Sequence, residues 1–586
     1  MRDFVSRVAA FFDELKRRRV VRVGIVYILV SLAIVEAAGN VFPALHLPDL
    51  ALTFIVVLLI LGMPVALVLA WAYDITPEGV QRTPSADAPV EPDEPSAEVA
   101  SAPRTPEPQR PARARAPRHS VVALPFVNMS GDEENDYLAD GLTEELINAL
   151  TKIDGLRVAA RTSSFAFKGR SVGIEEIAER LGVDIVIEGS LRRSGDRLRI
   201  AVQLIDVEEG YHLWSDTFNR QLEDVFLLQE EIARAVATSL QVTLAGEAQA
   251  PLVKTSTGDV EAYTLYLKGR HFWNRRTGEG LRTAVEYFTR AIEADPGYAL
   301  AHAGLADAYA ILLDYGILPP ERALPELKAA ARRALELDAT LAEAHTSLAM
   351  AHQFEWQWAA AEREFRRALA LNPSYAVAHH RYALFLTSVE RPAESLGEIR
   401  RALELEPLSL IMLTTVGWVH YYARDYENAV EQCLHTLEMD PDFMNVHIAL
   451  GLAYGQLGRY EEAIAAHQQA LRIAGEVAST QALMGYMYGA SGERGQAEEI
   501  LARLREQASR QYTSAYYLAI AALGSGDVEQ AFSWLERAYE EHAAHLIYLR
   551  VDPLFDSLRA DPRLERLLAR LGMAPAQPAG VQGARG

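Results

Sequence analysis

The sequence predicts a multidomain chain in three parts: an N-terminal transmembrane helical hairpin, an α/β domain, and an all-α solenoid of stacked helical hairpins. Three observations carry this. Residues 51–73, ALTFIVVLLILGMPVALVLAWAY, hold no charged side chain. Between Ser120 and about Ala245, short β-type runs alternate with helical patterns. From about residue 259 onward, residue types recur every 34 positions, the mark of an array of like supersecondary units.

The first part is expected to occupy residues 1–82. An uncharged run from Ala51 to Tyr73 is long enough to cross a bilayer core of roughly 30 Å as a helix. Trp71 and Tyr73 end it, where amphipathic rings favour the headgroup level. A second span is expected from Val20 to Ala38, apolar through its centre and edged by Arg22 and Glu36. Lys16, Arg17, Arg18 and Arg19 precede it, and basic flanks stay on the cytoplasmic side. The expected location is therefore a bacterial inner membrane with the body in the cytoplasm. If the first stretch only lies on the surface, the body is periplasmic. Residues 83–118 are proline- and alanine-rich and read as a semi-extended linker.

Residues 119–246 read as an α/β domain of order βαβαβββα. Val121 to Phe126 is a buried strand, and residues 137–152 place Leu138, Leu142, Leu146 and Leu150 on one helical face. In RLRIAVQLID, Leu198, Ile200, Val202 and Leu204 alternate with polar residues. The segments SVVALPFVNMSGDEENDYLADGLTEELINAL, LGVDIVIEGSLRRSGDRLRIAVQLID and GYHLWSDTFNR resemble the TolB N-terminal-like (FlgO-like) domain of bacterial membrane-anchored proteins. The preceding AWAYDITPEGVQRT resembles the membrane hairpin that accompanies that domain. The resemblance implies a non-catalytic module for assembly or interaction.

The solenoid is expected over residues 259–545 as about eight units, followed over 546–586 by a capping helix and a tail. Ala429, Ala463, Ala497 and Ala531 are 34 apart, as are Gly417, Gly451 and Gly485, and Pro373, Pro407 and Pro441. Small residues let paired helices approach, and proline closes one unit before the next. This pattern, cleanest in GLAYGQLGRYEEAIAAHQQAL, resembles the tetratricopeptide repeat (TPR). Residues 316–320 add length to the second unit. The resemblance implies a partner-binding groove that includes His380, Thr387, Thr414, Trp418, Tyr421 and Tyr486. The lysine and asparagine set that clamps a peptide carboxylate in chaperone-binding repeats does not stand at these positions.

Composition narrows function further. The net charge is −22; seven basic and three acidic residues in the first 22 leave −26 on the remainder, which repels nucleic acid. The single cysteine, Cys433, excludes an internal disulfide. No phosphate loop, kinase set or metal-ligand spacing occurs, so no cofactor or metal is expected. The expected function is a membrane-anchored, non-enzymatic scaffold for an unknown protein or peptide. A second reading is a sensory protein whose α/β domain binds a small ligand. A remote third is a serine hydrolase through Ser171, which sits in a G-x-S-x-G run without the strand that a nucleophile elbow needs.

Overall fold

The computed structural model describes residues 120–240 and 257–573, apart from Gly131, Glu133, Glu134, Lys152, Asp154, Gly155, Ser171 and Glu476. It also describes Leu59, β1 (Tyr73–Thr76) and β2 (Gly79–Arg82). Residues 1–112 and 113–586 form separate compact units.

In the first unit, β1 and β2 pair antiparallel, with Tyr73 opposite Arg82. The expected fold class is corrected here. Among the described residues no helix is long and apolar enough to cross a membrane, and Tyr73, expected to end a span, opens a strand. The chemistry fits: Asp74 interrupts the apolar run, and Tyr73, Ile75, Thr76 and Val80 are β-formers. Val20 to Ala38 and most of Ala51 to Tyr73 lie outside the described residues. The architecture described is an all-α solenoid with a small mixed-sheet domain.

The sheet has strand order β5-β3-β6-β7-β8, with β4 (Val127–Asn128) also paired to β6. β3 (Ser120–Ala123), β5 (Arg157–Val158) and β6 (Ile185–Ser194) run parallel. β7 (Arg197–Asp206) and β8 (His212–Gln221) continue it antiparallel. Alternation sorts the side chains. Val121, Ala123 and Ile187 join α1 (Asp136–Leu150) and α4 (Val225–Ser239) in one core. Val122 and Val186 meet α3 (Ile174–Leu181) on the other face. The short helix α2 (Arg161–Phe165) was not foreseen; its Ser164 hydroxyl donates to the Ala123 carbonyl and fixes it to β3.

Among the described residues, sixteen helices then form eight hairpins. Their first helices are α5 (Val260–Asn274), α7 (Ala299–Asp314), α9 (Ala342–Phe354), α11 (Ala376–Ser388), α13 (Leu410–Tyr422), α15 (Met444–Gln456), α17 (Ala478–Ala490) and α19 (Ala515–Gly524). Their second helices are α6 (Gly278–Ala294), α8 (Pro320–Leu337), α10 (Trp358–Leu371), α12 (Pro392–Leu405), α14 (Tyr426–Met439), α16 (Tyr460–Ala474), α18 (Arg494–Ala508) and α20 (Val528–Glu540). Glycines sit where the helices of a hairpin touch. A Cβ on Gly417 would lie 2.8 Å from Cys433 Sγ, and one on Gly451 2.8 Å from the His467 ring.

The turn inside each hairpin needs one residue with positive φ. Trp356, Glu390, Arg424, Gly458, Gly492 and Gly526 fill that position at 34-residue intervals. Arg276 does so in the first hairpin, at φ 54°. A side chain there costs roughly 1 kcal/mol or more relative to glycine, so the four non-glycine residues call for an explanation. Contacts with the chain's own C-terminal segment supply three. Trp356 stacks on His542, centroids 4.4 Å apart. Glu390 pairs with Arg550 at 2.9 Å. Arg424 pairs with Asp556 at 2.7 Å and donates to the Val551 carbonyl.

That segment begins with His542, in the turn after α20, and comprises two 3-10 turns, Ala544–Tyr548 and Pro553–Leu558, and α21 (Pro562–Arg570). It leaves the last hairpin and crosses back over the turns of the third, fourth and fifth. Tyr548 stacks on Tyr422, and the Trp358 indole donates to the Leu571 carbonyl at 2.8 Å. The solenoid is thereby closed on itself.

Candidate functional site

Closure leaves a cavity of about 2370 Å³ along the inside of the curve. The first helices of the hairpins, and the turns that lead into them, supply most of its wall. Two other elements also line it. His545, Tyr548 and Asp552 of the C-terminal segment form one side, and α1 and α2 of the sheet domain form another.

The sheet domain reaches this position through largely half-buried charge. Glu144 on α1 lies 2.7 Å from Arg270 on α5 and 2.8 Å from Arg161 on α2. Burial acts to raise the Glu144 carboxyl, but the two guanidinium groups outweigh it and hold the group below its ordinary value. Asp140 meets His271 at 3.1 Å and Lys168 at 2.5 Å. A second bridge lands on the turn before α13, where Ser163 Oγ accepts from the Leu408 amide at 3.3 Å.

One corner of the cavity is rich in cations. Arg270, Arg276, Arg381 and His380 all line it. Arg381 is paired with Asp314 at 2.9 Å. His380 Nε2 lies 2.9 Å from Thr415 Oγ1. Burial, then the charges of Arg381 and Arg276, push His380 well below its ordinary value, so it stands neutral. Another stretch of the wall is aromatic and aliphatic, with Ile411, Trp418, Tyr422, Ile448 and Leu452. Asp552 closes that side: it accepts from Tyr516 at 2.6 Å and from Tyr421 at 3.4 Å, and burial raises its carboxyl.

The residues expected from the sequence fall in different places. His380 and Trp418 line the large cavity. Thr387 lines a smaller one of about 480 Å³ beside Arg424 and Arg550. Tyr421 is 1% exposed and packed against the C-terminal segment, and Thr414 is buried with its hydroxyl on the Leu410 carbonyl. Tyr486 is half-buried in the same aromatic core as Tyr421. Ser171 lies outside the described residues, and among them no group of three metal-ligating side chains occurs. Sequence reasoning did not single out Arg276, Arg381 or the lining residues of the C-terminal segment and the sheet domain. The one available signal was an arginine at a turn position where later units carry glycine.

Comparisons with known proteins match the sheet domain and the later hairpins separately. Residues 118–235 match the family model for the second domain of HilA/YgeH-like transcriptional regulators. Residues 416–478 and 483–545 match a tetratricopeptide repeat model. The C-terminal array is thus built of TPR units. A putative adenylate cyclase 3 of Rhizobium meliloti is 38% identical over 42% of this chain and 41% of its own length. The transcriptional regulator HilA of Salmonella typhimurium is 22% identical over 38% of each. The chain therefore spans about two fifths of the length of the curated relatives it matches. Among solved structures, PilF of Pseudomonas aeruginosa is 21% identical over 38% of this chain and 96% of its own, with a TM-score of 0.28.

Proposed function

We propose that the chain is a non-catalytic interaction module that holds an extended segment of a protein partner against the inner wall of its TPR array. The continuous inner cavity carries this reading. At about 2370 Å³ it exceeds the roughly 300–1,000 Å³ of ordinary small-molecule sites. Its aromatic and aliphatic wall around Trp418 suits apolar side chains, and such anchors dominate interface energetics. The relatives point the same way. One is named a cyclase and another a transcriptional regulator, and each matches over only part of its length. A part shared by proteins of unlike activity fits an accessory binding module better than an active site.

The test uses the full chain against a displayed library of random peptides. Selected peptides should bind W418A/I448S at least tenfold more weakly, about 1.4 kcal/mol or more. They should bind L434S normally, since Leu434 is exposed on an outer helix. Equal weakening in both variants, or no enrichment at all, contradicts the reading.

A further inference from the structure

Four residues other than glycine hold the strained turn position of a hairpin, and three of them are explained by docking of the C-terminal segment. Arg276 is the fourth, and that segment does not reach it. Its guanidinium lies over the Trp273 ring, 3.7 Å from the centroid, beside that of Arg270 at 4.7 Å. Among the described residues no carboxylate forms an ion pair with it. Three nearby acids are engaged elsewhere: Glu144 with Arg270 and Arg161, Asp314 with Arg381, and Asp307 with the Ser347 hydroxyl. A fourth, Glu406, also lines the cavity and feels the Arg276 charge, but burial raises its carboxyl. Arg276 nonetheless lines the cavity, in a corner shared with Arg270, Arg381 and His380. Burial, together with the charges of Arg381 and Arg270, depresses it below its ordinary value against the opposing pull of Tyr315 and Asp307. Strained backbone at a residue other than glycine tends to mark a functional position.

We propose that this corner is a binding site for a small oxyanion, a phosphate or carboxylate group of a metabolite, with Arg276 as its principal ligand. A guanidinium presents a planar fork that two oxygens of either group can accept from at once. Arg381 has committed one nitrogen to Asp314, and Arg270 Nε has no hydrogen-bond partner. Both can therefore add donors. The anion would sit where α1 and α2 of the sheet domain face α5 and α11, so its binding would tighten the contact between sheet domain and solenoid. The anion site rests on Arg276, Arg270 and Arg381 alone and stands whether or not a protein segment occupies the aromatic wall.

Calorimetric titration of the full chain with sodium pyrophosphate, and separately with citrate, distinguishes the two sources of oxygen. Saturable binding of one of them is expected, weakened at least tenfold in R276Q and less in R276K, which keeps the charge but loses the fork. R276G separates binding from folding. Glycine relieves the turn, so the ligand-free variant should melt no lower than the parent and still fail to bind. Binding by neither probe up to millimolar concentration overturns the proposal, as does equal binding by the parent and R276G.

Discussion

Replacing Gly489 by alanine should destabilise the C-terminal hairpins by about 3 kcal/mol, at the upper end of overpacking costs. The seventh and eighth hairpins touch backbone to backbone. A Cβ on Gly489 would collide with the Gly524 carbonyl oxygen, and one on Gly524 would lie 2.6 Å from Tyr486 Cα. Backbone cannot step aside as a side-chain tip can, so α17 and α19 must separate. Gly397 is the control. It sits inside α12, and nothing lies within 4 Å of where a methyl group would stand, so alanine there should stabilise by roughly 0.5–1 kcal/mol. Urea unfolding of both variants checks the pair. Similar effects at the two positions would mean that the backbone contact is absent.

Acid should weaken the fold through His467. Its ring is fully buried on α16, neither nitrogen has a partner, and burial pushes it down to about 3. The unfolded chain takes up a proton near pH 6.5, whereas the folded chain refuses it until about 3. The stability this group permits is complete above pH 6.5 and falls as pH drops towards 3. The slope is about 1.4 kcal/mol per pH unit, or roughly 3 kcal/mol by pH 4. Asp140 and Glu144 are held below their ordinary values and also lose stability in acid. Comparing the parent with H467L removes their share. The leucine variant should match or exceed the parent at pH 7, since it deletes two unsatisfied buried nitrogens, and should lose less stability at pH 4. Parallel curves for the two proteins would refute the assignment.

The repeating part of the molecule was legible because its physics is periodic. A small residue every 34 positions marks each helix contact, and the strand alternation of Leu198 to Leu204 marks the sheet face. Closure was not legible. Residues 546–586 read only as a capping helix and a tail, and nothing periodic says that the chain there folds inward across three earlier hairpins. That inward path is what buries Tyr421, an aromatic at a groove position by repeat register. The short helix α2 was missed because its five residues carry no apolar period. Its place is set by tertiary bonds to β3 and to the turn before α13. The N-terminal expectation failed at Tyr73, where hydropathy alone could not distinguish the end of a span from the start of a strand pair.

Peptide capture and anion binding both require the closed cavity, and crosslinking tests that closure most directly. Cys433 is buried and its thiol is pushed up to about 12, so it stays unreactive and introduced cysteines report alone. In the full chain carrying E390C and R550C, positions joined by an ion pair across the closure, a short bismaleimide should link the two sites within one molecule almost completely. Neither single variant should form that product. If the double variant labels at both cysteines without linking, the C-terminal segment does not lie across the turns, and the solenoid has no closed cavity.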